Sequence, residues 1–313
     1  MWKVGNLQAA KGEKVKGYLE FSLIEEKLPA FLINGETEGP TVLVLAGIHG
    51  CEYTSIDAAL EFARGLEAKD VKGKVAILPI ANPAAFYARS IYVHPKDQKN
   101  LNRVFPGKTD GTASEKLAYC LNETAIGSVD YLIDLHGGDM IEALVPFTIY
   151  QVTEDRNLTE KSRLLASLFG IDYVVGSTGQ VGGSTYSSAA YQGKVAIIAE
   201  AGQQGILDRD QSVLLQEGTK NALRSIGVME GDVINHSTKQ LNTFDWSFAD
   251  FTGLWYPNVE IGQQVDEGEC IGRIADEFGE TLKEYFAGTS GVVLFLVTSL
   301  AINVKDPLLA IGD

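Results

Sequence analysis

The chain has 313 residues, with 41 acidic against 26 basic side chains and a formal charge of −15 at pH 7. Hydrophobic residues at 45% and charged residues at 21% give a globular composition and exclude a disordered chain. The acidity disfavours nucleic acid and anionic membrane surfaces as partners, because both repel it and no Lys/Arg cluster offers a local exception.

The first twenty residues, MWKVGNLQAAKGEKVKGYLE, lack the apolar centre of a signal peptide. No later run approaches the roughly 18–20 apolar residues needed to cross a bilayer. Cys51, Cys120 and Cys270 are odd in number, scattered and without a CxxC pair. A disulfide framework is therefore not expected, which fits a reducing compartment. The expectation is a soluble, cytoplasmic protein; its oligomeric state is left open.

From residue 41 to about 227, apolar runs alternate with amphipathic stretches. The runs are TVLVLAG (41–47), KVAILPI (74–80), DYLIDLHG (130–137), PFTIYQV (146–152) and KVAIIAEAG (194–202). They are apolar on both alternations, as in strands covered on both faces of a mostly parallel sheet. Helices are expected over 52–66, after a Thr112-x-x-Glu115 capping box, over 159–169 and over 212–226. Strands alternating with helices predict a three-layer α/β domain over residues 1–235. Beyond it, short alternating runs broken by Gly and Pro predict a small all-β, barrel-like domain over 236–313.

Three of the strands end in reactive side chains. TVLVLAG runs into His49 and Glu52, DYLIDL into His136, and KVAIIA into Glu200. Ligands of open α/β sheets bind beyond the carboxyl ends of strands, so these groups converge although they are far apart in sequence. Two His and one carboxylate with a position left open is the ligand set of catalytic zinc. Glu200 would then act as general base. Each feature alone has a plainer reading: HxxE matches arise by chance, and Glu200 could cap a helix or pair with a cation. His94 and His236, in polar contexts, read as solvated surface residues. Cys51 reads as a packing residue. The Gly-rich stretch 176–193 reads as a mobile loop that shapes the pocket. Arg103, beside Asn102 in a long connection, offers a guanidinium fork to a carboxylate.

Together, GIHGCE (47–52), NLNRVFPG (100–107), DLHGG (134–138) and AEAGQQG (199–205) resemble the motifs of the succinylglutamate desuccinylase/aspartoacylase family, a branch of the zinc carboxypeptidase superfamily. The resemblance covers about residues 40–205. It implies a zinc-carboxypeptidase-like fold and one zinc per chain on His49, Glu52 and His136, with Glu200 catalytic and Asn102 and Arg103 holding a substrate carboxylate. It implies hydrolysis of the amide of a small carboxylate-bearing N-acyl amino acid. Family members often carry a further Arg near the scissile carbonyl; here Arg89 is the nearest, with Tyr92 in an alternative alignment. The C-terminal stretch resembles a biotinyl/lipoyl-like barrel, but its hairpin tip, Val297 to Leu300, has no carrier lysine. Trp255, Tyr256 or Tyr285 are the aromatic residues expected to reach the site from this part. Two rivals remain at this point: a metallocarboxypeptidase acting on peptide C-termini, and a non-catalytic metal-binding protein.

Overall fold

The computed structural model of the chain describes residues 1–178, 182–242 and 244–313. A hairpin of β1 (Trp2–Val4) and β2 (Leu7–Ala9) leads into β3 (Glu13–Leu19), β4 (Leu28–Asn34) and β5 (Thr37–Ala46). Then follow α1 (Tyr53–Gly65), β6 (Lys72–Leu78), α2 (Pro83–Ala88), α3 (Ala113–Thr124), β7 (Tyr131–His136), β8 (Glu142–Leu144) and β9 (Phe147–Gln151). The large unit ends with α4 (Arg156–Ala166), β10 (Tyr173–Ser177), α5 (Thr185–Tyr191), β11 (Val195–Glu200), α6 (Arg209–Ser225) and β12 (Lys239–Leu241).

Among the described residues, nine strands form one mixed sheet in the order β12-β10-β9-β11-β7-β5-β6-β4-β3. The strands predicted from apolar runs are its centre. Val42–Ala46 of β5 and Leu132–Leu135 of β7 are shielded from solvent on both faces, because helices cover the sheet above and below. One core layer joins α1, α4 and α6 to one face through residues such as Phe62, Leu165 and Leu215. The other joins α3, α5 and the N-terminal hairpin to the opposite face through Leu117, Tyr186 and Trp2. Helix starts are set by local chemistry. The Thr112 N–H donates to Glu115 Oε2 at 2.8 Å, while Asp155 and Asp208 cap α4 and α6 by accepting from backbone N–H groups of the first turn.

The remaining chain is antiparallel β: β13 (Phe244–Phe248), β14 (Gly253–Pro257), β15 (Gln264–Val265), β16 (Cys270–Ala275), β17 (Thr281–Phe286), β18 (Gly291–Val297), β19 (Ala301–Ile302) and β20 (Pro307–Gly312). They make two small sheets around a core containing Trp255, Ile271, Leu308 and Ile311. A boundary at 235/236 marks a change of texture in the sequence, yet strands cross it in both directions. β12 pairs in parallel with β10 of the large sheet, and β8 pairs antiparallel with β18. A bridging cluster of Leu144, Phe147, Val175, Leu241, Val292 and Leu294 packs the two parts together directly beside the ends of β9 and β11.

Two local expectations change. The Gly-rich stretch contains α5, capped by Ser184 and packed into the core; its residues 179–181 lie outside the described residues. His94 is buried, at 1% exposure, because Glu26 and Asp97 close around its ring at 4.0 and 3.9 Å.

Candidate active site

β5 ends at Ala46, and the chain turns through Gly50, where a Cβ would lie 2.3 Å from the backbone of Ala85 and Phe86. Only a glycine permits that approach, and it sets the segment carrying His49 against α2. Glu52 is the residue before the first turn of α1. His136 and Glu200 close β7 and β11, which are neighbours in parallel register.

The three groups from different chain segments meet. His49 Nδ1 lies 2.6 Å from Glu52 Oε1, and His136 Nδ1 lies 3.1 Å from Glu52 Oε2. The imidazole centroids are 5.1 Å apart and their planes cross at 77°. One ligand atom from each residue falls within 4.8 Å of the others. The far nitrogens of both rings are engaged elsewhere: His136 Nε2 with Asp134 Oδ2 at 3.0 Å and His49 Nε2 with Asn100 Oδ1 at 3.0 Å. In the neutral form of each ring, an N–H donated outward leaves the Nδ1 lone pair facing Glu52, as metal-ligating imidazoles require. Glu52 Oε2 is buried and, among the described residues, has no hydrogen-bond partner beyond its 3.1 Å approach to His136 Nδ1. A buried carboxylate whose oxygens face only the nitrogens of two outward-braced imidazoles fits a divalent cation.

The bracing groups are tied down in turn. Asp134 Oδ2 also accepts the Thr185 hydroxyl at short range. Asn100 Oδ1 accepts the Asn102 N–H at 2.8 Å, and Asn102 Oδ1 accepts the Thr185 N–H at 2.9 Å. The start of α5 thus holds both Asp134, which braces His136, and the Asn102–Arg103 turn.

Electrostatics follow from this packing. Burial raises the Glu52 pKa, but the two histidines outweigh it and hold the carboxyl down at about 2. Burial likewise opposes charge on His136, yet Asp134 and Glu52 lift its pKa well above the ordinary histidine value. Glu200 behaves oppositely: burial, reinforced by Glu52 and Asp134 against the pull of His136 and Arg103, pushes it up to about 8. Glu142 is raised well above the carboxylate range by burial and by Asp139 and Glu52.

These groups open into a cavity of about 560 Å³ lined by His49, Glu52, His136 and Glu200 together with Tyr92, Asn102 and Arg103. The Arg103 guanidinium donates to Asn102 O at 2.8 Å and has no carboxylate partner within 4.0 Å among the described residues. An unpaired cation facing a cavity in so acidic a protein leaves room for one anion. Arg89 does not line the cavity. It sits exposed at the C-terminal end of α2 with a left-handed φ of 53°. Tyr92 lines the cavity instead, its hydroxyl pushed up to about 12 by burial. Cys51 is fully buried. Trp255 and Tyr285 belong to the core of the β part; its contributions to the cavity are Phe244, Trp246, Phe248, Phe295 and Pro307.

Residues 38–226 match the succinylglutamate desuccinylase/aspartoacylase catalytic domain. N-alpha-acetyl-L-2,4-diaminobutyric acid deacetylase of Halomonas elongata is 30% identical over 285 residues, which are 88% of this chain and 83% of that protein. The product-bound ectoine utilization protein EutE of Ruegeria pomeroyi superposes with a TM-score of 0.87 at 26% identity, covering 98% of this chain and 97% of its own. A succinylglutamate desuccinylase/aspartoacylase of Rhodobacter sphaeroides gives 0.87 at 25% identity over the same shares. The likeness therefore extends through the C-terminal β part as well as the α/β part.

Proposed function

The chain belongs to the succinylglutamate desuccinylase/aspartoacylase family, and we propose that it hydrolyses the amide bond of an N-acyl amino acid with one zinc ion held by His49, Glu52 and His136. The observation that carries this reading is the meeting of those three ligand atoms with Glu200 at the adjacent strand end, over a cavity that also holds an unpaired guanidinium.

Zinc at that point supplies acidification of a coordinated water and polarisation of the amide carbonyl. The protein's own groups do the rest. Glu200 in its ionised form takes a proton from the attacking water and returns one to the departing nitrogen as the carbon–nitrogen bond breaks. Arg103, set by Asn102, fixes the substrate carboxylate and so places the amide. Tyr92, which lines the cavity and is protonated throughout the physiological range, supplies an O–H towards the carbonyl oxygen.

The Halomonas elongata relative, named for deacetylation of an N-acetyl diamino acid, supports a free amino acid bearing an acyl group over a polypeptide. The wall that Trp246, Phe248, Phe295 and Pro307 raise at the cavity favours the same class over a peptide C-terminus. The test is amine release from N-acetyl amino acids and from N-blocked dipeptides by zinc-loaded protein. Turnover of the first class and not the second is expected; turnover of peptides alone would return the carboxypeptidase reading.

A further inference from the structure

Phe244, Trp246 and Phe248 alternate along β13, so their side chains stand on one face of that strand. The rings continue one another. Phe147 meets Phe244 edge-on at 5.5 Å, Phe244 stacks on Trp246 at 5.8 Å, and Trp246 stacks on Phe248 at 6.1 Å. Phe295 from β18 leans on Trp246 at 5.3 Å. All five line the cavity. At its inner end the row touches the chemistry, since Phe147 opposes Glu200 across the antiparallel pairing of β9 and β11. At its outer end Phe248 is 51% exposed.

A strand serving only to close a core would bury such a row, because each exposed ring leaves apolar area in water. Trp246 adds a second sign. Its Nε1–H is buried and has no hydrogen-bond partner among the described residues, a cost that an occupant with an acceptor would remove. The cavity's size is also in the range of drug-sized ligands, roughly 300–1,000 Å³, and exceeds what an acetyl group and a short amino acid fill.

We propose that this aromatic row is a substrate subsite for an elongated apolar group, an alkyl chain of several carbons or an aryl ring, attached to the amide that is cleaved. The inference rests on the amide-hydrolase reading above. The row begins beside Glu200 and has no charged side chain of its own, so it takes hydrocarbon and rejects a second charge. The extension can belong to the acyl group or to the amino-acid side chain; both present the same chemistry to the rings.

The experiment compares N-acetylalanine, N-hexanoylalanine and N-acetylphenylalanine with zinc-loaded parent, Trp246→Ala and the more exposed Phe248→Ala, reading kcat/KM from amine release. Trp fluorescence on titration with N-hexanoylalanine and N-acetylphenylalanine is followed in parallel. One methylene buried on the rings is worth about fourfold (~0.8 kcal/mol). At least one extended substrate is therefore expected to exceed N-acetylalanine by tenfold or more in the parent, and the ratio to collapse towards one in Trp246→Ala. The arm that gains tells which side of the amide faces the row. Equal kcat/KM for all three in the parent, or equal losses on all three in both variants, would overturn the subsite. If none is hydrolysed the hydrolase reading fails, and the fluorescence titration then decides: saturable quenching in the parent that both variants weaken keeps the apolar site, and its absence removes it.

Discussion

Glu200 and His136 are opposed residues on neighbouring parallel strands, each the last of its strand. That register brings the proposed proton carrier beside the third proposed metal ligand without any loop to position either. The division of labour between them is electrostatic. The charges around His136 favour its protonated form, whereas burial beside Glu52 and Asp134 favours the neutral form of Glu200.

Glu200→Gln keeps size and most packing but removes the group that moves the proton. The expected loss in kcat is on the order of 10²–10⁴, with zinc content within error of the parent. Metal analysis and single-turnover rates check both halves. Parent-like turnover would mean that another group carries the proton.

Asp134→Asn alters a residue that would touch neither metal nor substrate. Asp134 braces His136 Nε2 and receives the Thr185 hydroxyl. Loss of such outer support weakens metal binding roughly 10–100-fold, which competition with a fluorescent chelator measures. An unchanged affinity would show that β7 alone orients the ring.

The metal-free protein has a pH signature. Glu200 titrates near 8 when folded against an ordinary value of 4.5. Between those values the folded chain keeps a proton that the unfolded chain has lost, so this group's contribution to stability falls as pH rises through that window. After chelator treatment, Tm should drop between pH 5 and 8, and Glu200→Gln should flatten the drop by on the order of 5 °C. Thermal scans across that range decide; identical slopes would place the Glu200 proton affinity near that of a free carboxyl.

Gly183→Ala tests how the Asn102–Arg103 turn is held. Gly183 has a φ of +83°, a Cβ there would lie 2.3 Å from Arg103 O, and its own carbonyl accepts the Phe105 N–H at 2.9 Å. The substitution should cost about 1–3 kcal/mol of stability and raise KM for carboxylate-bearing substrates with metal content unchanged. Arg103→Ala should raise the same KM with little loss of stability, and an equal loss on an uncharged amide would remove its anchoring role.

The centre of the fold was readable because its strands are continuous apolar runs and several of its helices carry side-chain caps, both local signals. β3, at the sheet edge with Lys16 exposed, was not, since an edge strand mixes polar and apolar positions. The pairing of β8 with β18 joins three-residue segments about 150 positions apart, a contact no local pattern encodes. His94 looked solvated because Glu26, one of the groups that bury it, comes from a distant segment. At the site, the ligand triad and Glu200 were visible as reactive residues at strand ends. That Tyr92 and not Arg89 lines the cavity was not legible from a loop without periodicity. The row Phe244, Trp246, Phe248 did carry a signal, aromatic residues at every second position, that the short strand length concealed.

The central claim is that His49, Glu52 and His136 hold a catalytic metal. Plasma mass spectrometry on zinc-equilibrated, desalted parent and His136→Ala tests it most directly. About one zinc per chain in the parent, lost in the variant while circular dichroism shows both folded, is the expected result. A folded parent that stays metal-free after equilibration with zinc would contradict the account.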